Sequence, residues 1–183
     1  MNGRRTIGRR TRIFLGCEGE SEQGYGVFLQ RLADEHRLHV HIRPVNLRPG
    51  GDPLALSEKA VQACAKEEKK GGFAGKVILL DADRLSEPPD RGLTALDLLR
   101  REGFTTIWQR PDHEGILLRH FAGHEQDDPP RGRSFTALQA VWPGYHKNMS
   151  AKELKRTLSI AHVQRAAVVV PELRVLLTLI GFA

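Results

Sequence analysis

Residues 13–22 read Ile13-Phe14-Leu15-Gly16-Cys17-Glu18-Gly19-Glu20-Ser21-Glu22, and residues 77–83 repeat the arrangement as Val77-Ile78-Leu79-Leu80-Asp81-Ala82-Asp83. Each stretch is a short apolar run that ends in acid. Apolar runs of this length, bounded by polar turns, read as buried strands. In open α/β sheets ligands gather outside the carboxyl ends of the strands. Five carboxylates brought to one sheet edge (Glu18, Glu20, Glu22, Asp81 and Asp83) repel one another unless a cation neutralises them. Hard oxygen donors suit Mg²⁺ or Mn²⁺. The two stretches therefore propose an α/β fold and a metal site together.

The segments around them alternate strand with helix. Glu22 to about His36 has helical spacing, with Tyr25, Phe28, Leu29 and Leu32 on one face. Leu38, Val40 and Ile42 alternate with His39, His41 and Arg43, the period of a half-buried strand. After the turn at 49–53, Asp52 caps a helix that carries Pro53 at its first position and runs to about Lys70. Residues 76–80 form a strand and residues 81–90 a loop. Leu93, Leu96, Leu98 and Leu99 give another helix, followed by a strand over 105–109 and a short helix from Glu114 to about Ala122. Residues 123–132 read as a loop. Ser150 and Glu153 have capping-box spacing, opening a helix to about Ala167, and Pro171 starts a last apolar helix. This order predicts a mostly parallel, Rossmann-like sheet flanked by helices. The expected organisation is a basic arm over 1–12, an α/β domain over 13–149 and a helical extension over 150–183 packed on it.

With 40% apolar and 27% charged residues, the 183-residue chain has the composition of a soluble globular domain. No apolar stretch reaches the ~20 residues of a membrane span, so no membrane partner is expected. The basic N-terminus lacks the apolar core of a secretory signal. Cys17 and Cys64 are too few for a disulfide framework. The expected location is the cytoplasm. The net charge of +6 is concentrated: Arg4, Arg5, Arg9, Arg10 and Arg12 contribute +5 with no acid among the first 12 residues. Such an arm either follows nucleic-acid phosphates or is a solvated tail.

Asp81 and Asp83, two residues apart on an extended segment, point to the same side and can reach one cation. Gly19 is expected to let the backbone turn sharply after Glu18. Mg²⁺ typically takes one or two carboxylates, with substrate phosphate and water filling the remaining positions. Glu22 is either a further metal ligand or a helix-start acid favoured by the helix dipole. Glu20 reads as solvated.

The succession of strand, Glu18-Gly19, helix, strand, helix, strand and Asp81-x-Asp83 resembles the TOPRIM catalytic domain. That domain is shared by topoisomerases, primases and overcoming-lysogenization-defect nucleases. More narrowly, Glu18-Gly19-Glu20-Ser21-Glu22 is similar to the Glu-Gly-x-Thr-Glu opening of small TOPRIM-like proteins near the RloB group, which are associated with phage defence. Glu114-Gly115-Ile116-Leu117-Leu118-Arg119-His120-Phe121 and Tyr145-His146-Lys147 are similar to two later motifs of that group, in the same order. Ser21 stands for the usual Thr, Asp112-His113 for a Cys-Phe pair, and Gly115 and Arg119 interrupt an apolar run. The resemblance implies Mg²⁺ or Mn²⁺ on Asp81 and Asp83, with Glu18 as general acid/base or metal ligand. It further implies Glu114 and Lys147 as secondary site residues, Lys147 neutralising a phosphate.

Other candidates read as ordinary. His113, His120 and His124 lack the His-Glu-x-x-His pattern of zinc hydrolases and read as polar or core histidines. Ser21 lacks the second glycine of a nucleophile elbow. Trp108 and Trp142 read as packing residues rather than base-stacking platforms. The expected function is metal-dependent cleavage of nucleic-acid phosphodiesters. The alternative is a metal- and nucleotide-binding sensor that does not cleave and acts beside an ATPase partner protein.

Overall fold

A computed structural model describes residues 9–48, 52–82 and 89–182. Arg4, Arg5 and Asp83, together with the turn at 49–51 and most of the loop at 81–90, lie outside the described residues. The first half alternates β1 (Thr11–Cys17), α1 (Glu20–Glu35), β2 (Val40–Asn46), α2 (Pro53–Glu68), β3 (Gly75–Asp81), α3 (Pro89–Arg101) and β4 (Phe104–Gln109). The four strands form one sheet in the order β2-β1-β3-β4, and every pair is parallel. The second half is helical: α4 (His113–Leu118), α5 (Ser134–Val141), α6 (Ala151–Thr157), α7 (Ile160–Val169) and α8 (Pro171–Ile180).

Alternation along the strands sorts side chains into two layers. Ile13, Leu15, Cys17, Val77 and Leu79 pack into a core with α1 and with the C-terminal helices, through residues such as Leu154, Val163 and Leu176. Ile78 and Leu80 turn to the other face, against Leu56 and Ala60 of α2 and Leu99 of α3. Strands buried on both faces are apolar throughout, which is why β1 and β3 read as continuous apolar runs. No helix among the described residues is long and apolar enough to cross a membrane.

The winding fixes where a ligand can enter. From β1 the chain passes through α1 to β2 on one side, then through α2 to β3 on the other. The order therefore reverses between β1 and β3, and ligands of doubly wound sheets bind in the crevice at such a switch point. Glu18 leaves β1 and Asp81 ends β3, so the two acidic stretches flank it.

The structure departs from the expected elements in several places. β2 runs on through Pro44 to Asn46. It is an edge strand paired only with β1, so a residue with no N–H is tolerated there. α5 was not expected. The Ser150–Glu153 capping box is present, but the helix it opens stops at Thr157 and a new one starts after Ser159, whose hydroxyl and backbone both meet His162. Gly19 has φ −138°, an extended conformation open to any residue, so it makes no turn that only glycine permits.

Two buried histidines carry a stability consequence. His120 donates from Nδ1 to the Ile116 carbonyl at 2.9 Å and accepts at Nε2 from the Tyr25 hydroxyl at 2.9 Å. His113 is buried against the Tyr25 ring. Burial pushes both imidazoles down to about 4. Their folded values lie below the unfolded ~6.5, so the stability they permit is complete above pH ~6.5 and is lost as the pH falls towards 4. The expected loss across that window is on the order of 3 kcal/mol for each histidine. Burial raises Glu22 and gives it the opposite sign. Denaturant unfolding at pH 7 and pH 4.5 should show the fall, and His120→Gln should show a shallower one. An equally steep fall in that variant would remove neutral His120 as a cause.

Candidate functional site

A cleft of about 720 Å³ opens at the carboxyl edge of the sheet. The β1–α1 junction supplies Gly19 to Gln23, β3 supplies Asp81, the start of α4 supplies His113 and Glu114, and the loop before α6 supplies Lys147 and Asn148. β2 adds Arg43, and the segment just after it adds Arg48. Carboxylates and cations thus face one space. Glu18 is 4% exposed and does not itself line the cleft.

Each wall is held by its own contacts. Glu22 sits in the first turn of α1 and its Oε2 accepts from the Gly19 N–H at 3.1 Å, the helix-start role weighed for it. Burial raises its carboxyl, while backbone N–H groups and the Lys147 charge oppose the rise. Ser21 ties α1 to the Lys147 loop: its hydroxyl donates to Asn148 Oδ1 at 3.1 Å and accepts from the Asn148 N–H at 3.0 Å. Asn148 has φ 60°, a left-handed conformation that asparagine tolerates better than most residues. Gly24, one turn on, lets the Met149 carbonyl approach, since a Cβ there would lie 2.5 Å from that oxygen.

The α4 wall is equally determined. Asp112 caps the helix by accepting from the Gly115 N–H at 3.0 Å. Gly115 packs on the Arg110 carbonyl and Pro111, where a Cβ has no room, which explains the interruption of the apolar run. Glu114 is 6% exposed and accepts a hydrogen bond from the buried Tyr145 hydroxyl at 3.1 Å. That contact joins two of the motifs that the sequence presents separately.

His113 belongs to the site although the sequence suggested only a polar or core role. Its Nδ1 lies 2.6 Å from Gln109 Nε2, and its buried Nε2 has no hydrogen-bond partner among the described residues. With the amide N–H on Nδ1, the ring proton sits on Nε2. The other histidines are engaged elsewhere, His120 in the core and His124 with Asp127 at 2.7 Å. Arg43 and Arg48 also went unread as site residues. The sequence presents Arg43 only as a polar position on the wet side of the second strand and does not single out Arg48.

Of the arm arginines, the described Arg9, Arg10 and Arg12 sit at the opposite end of the sheet. Arg9 donates to the Lys70 carbonyl at 3.1 Å, Arg10 pairs with Asp34 at 3.0 Å, and Arg12 donates to the Gly71 carbonyl and lies over the Phe73 ring. The seven residues of β1 place them roughly 20 Å from Glu18. Among the described residues, the positive charge that lines the cleft is that of Arg43, Arg48 and Lys147.

Among the described residues no three His, Cys, Asp or Glu side chains converge to hold a metal ion. Mg²⁺ rarely needs such a cage, because water and substrate phosphate complete its six positions. Asp81, Glu22 and Glu114 present hard oxygen donors to the cleft. The donor set therefore fits an open Mg²⁺ or Mn²⁺ site and not a closed one. Comparison of the chain with known protein families, curated proteins and solved structures found no match.

Proposed function

We propose that the chain is a TOPRIM-like nuclease that uses Mg²⁺ or Mn²⁺ to cleave nucleic-acid phosphodiesters, with phage defence as the setting its sequence resemblance implies. The observation that carries this reading is the cleft at the β1/β3 switch point, where carboxylates from three elements face Lys147 and Arg48. Asp81 and Asp83 would hold the ion, with Glu18 or Glu22 as a further ligand. Bound there, it would neutralise phosphate charge and lower the pKa of an attacking water.

The remaining work falls to the chain itself. Lys147 sets a positive charge at the mouth, where a non-bridging phosphate oxygen would lie. The Tyr145 hydroxyl fixes the orientation of the Glu114 carboxylate. His113 would offer its Nε2–H to a ligand oxygen, a hydrogen bond that the buried ring lacks among the described residues. Glu18, buried at the end of β1, either ligates or moves the proton of the attacking water.

Incubation with single- and double-stranded DNA and RNA in Mg²⁺ or Mn²⁺ tests the reading. Cleavage of at least one substrate, abolished by EDTA, is expected. Binding of metal and nucleotide with no cleavage of any substrate, even with an ATPase partner present, would overturn it in favour of the non-cleaving sensor.

A further inference from the structure

A second cavity, of about 340 Å³, lies beside the edge strand β4 and shares no lining residue with the cleft. Trp108 of β4 and Arg110 just after it form one part of the wall, and Arg119 at the end of α4 forms another. The turn from α7 to α8 contributes the apolar Val170 and Pro171, followed by Glu172. Trp108, which the sequence presents as a packing residue, does pack against the α2–α3 layer, but it is only half-buried and also lines the cavity. Trp142, by contrast, is buried.

Arg119 is the group that asks for a ligand. It is 9% exposed, yet its carboxylate partner among the described residues, Asp128 at 3.3 Å, is a largely exposed side chain. Its Nε donates to the Asp127 carbonyl at 3.2 Å, and its Nη1 makes no hydrogen bond to the described residues. Burial lowers its pKa first, and the Arg110 charge lowers it further, against the pull of Asp128 and Asp127. An anion bound beside the two guanidiniums would relieve both costs. The acids of the wall differ in how far they are engaged. Glu125 pairs with Arg165 at 3.4 Å and accepts from the Gly123 N–H at 2.9 Å, whereas Glu172, in the first turn of α8, is half-buried and adds an acceptor to the wall.

A ligand that was only anionic would meet Asp128 and Glu172, and one that was only cationic would meet the two arginines. A nucleotide carries an anion, hydrogen-bond donors and an aromatic face together. We propose that this cavity binds one nucleotide unit, with its base on Trp108 and its phosphate on Arg110 and Arg119. The ribose hydroxyls or a base N–H would then donate to Glu172. The volume lies near the lower end of the roughly 300–1,000 Å³ of small-ligand sites, which suits a single nucleotide. A free mononucleotide and the terminal nucleotide of a strand present the same chemistry. The site stands apart from the cleft and does not depend on cleavage there.

The test is calorimetric titration of the full chain in EDTA, which keeps metal out of the cleft, with AMP, ribose 5-phosphate and a 5′-phosphorylated tetranucleotide. AMP is expected to bind about tenfold more tightly than ribose 5-phosphate, through stacking of the base. Trp108→Leu should abolish that advantage. Arg110 is exposed, so Arg110→Ala probes the site without disturbing the core, and it should weaken AMP about tenfold. Lys147→Ala, in the cleft, should leave AMP binding unchanged. A tetranucleotide bound about tenfold more tightly than AMP, with the same response to Arg110→Ala, would identify a strand end as the occupant, and equal binding a free nucleotide. No binding of AMP at millimolar concentration overturns the site. So does AMP binding that both cavity variants leave intact, or that Lys147→Ala removes.

Discussion

Replacing Asp81 by asparagine is expected to lower the metal-dependent cleavage rate by on the order of 10²–10³ while leaving the fold intact. The substitution keeps the shape of the side chain and removes one negative charge. Asp81 is half-buried at the end of β3, so an amide there is not forced into an apolar core. Its effect on unfolding should therefore be modest, on the order of 1 kcal/mol. The charge is what a divalent cation needs, and a neighbouring carboxylate cannot replace it without moving. Metal titration of the variant should show weakened Mn²⁺ affinity in parallel with the lost rate. If rate and affinity both survive, Asp81 is a solvated strand-end acid, and the cleft's chemistry must come from elsewhere.

The second large effect concerns how the Lys147 loop is held. Gly24→Ala places a methyl group 2.5 Å from the Met149 carbonyl oxygen. That contact is with backbone, so it cannot be relieved by a side-chain rotation. Overpacking of this kind costs about 1–3 kcal/mol, against about 1 kcal/mol gained by removing a glycine from a helix. The expected sum is a loss of stability. The expected functional result is worse, because a displaced Met149 carries with it the Ser21–Asn148 pair and Lys147, which precedes Asn148. Thermal unfolding and the cleavage rate, measured together, check this. Gly72→Ala is the control, since nothing lies within 4 Å of a Cβ there. Equal melting temperatures for the two variants would show that the α1–loop contact is not tight.

Much of the fold was legible because its central strands and helix starts obey local rules. Residues 13–17 and 77–80 are apolar without alternation, as strands covered on both faces must be, and Asp52, Pro53, Ser150 and Glu153 mark helix starts by their own chemistry. What escaped depended on neighbours. Pro44 ends a strand in most settings, and only the edge position of β2 makes it acceptable. The break between α6 and α7 is hidden because buried leucines continue across it, with Leu154 and Leu158 both in the core.

The site divides in the same way. Glu22, Asp81, Glu114 and Lys147 were legible as motif residues and line one cleft, while Glu18 is buried and does not line it. Their mutual support was not legible, since Ser21 meets Asn148 across 127 residues and Glu114 meets Tyr145 across 31. His113, Arg43 and Arg48 carry no motif of their own. Only packing shows that they share the cleft.

The measurement that bears most directly on the cleft is an Mn²⁺-soaked crystal with anomalous scattering recorded. A peak is expected between β1 and β3, at about 2.1 Å from a carboxylate oxygen of Asp81 and in reach of Glu18, Glu22 or Asp83. A cleft without Mn²⁺ at millimolar metal, or ions bound only at outlying surface acids, would contradict the proposed site.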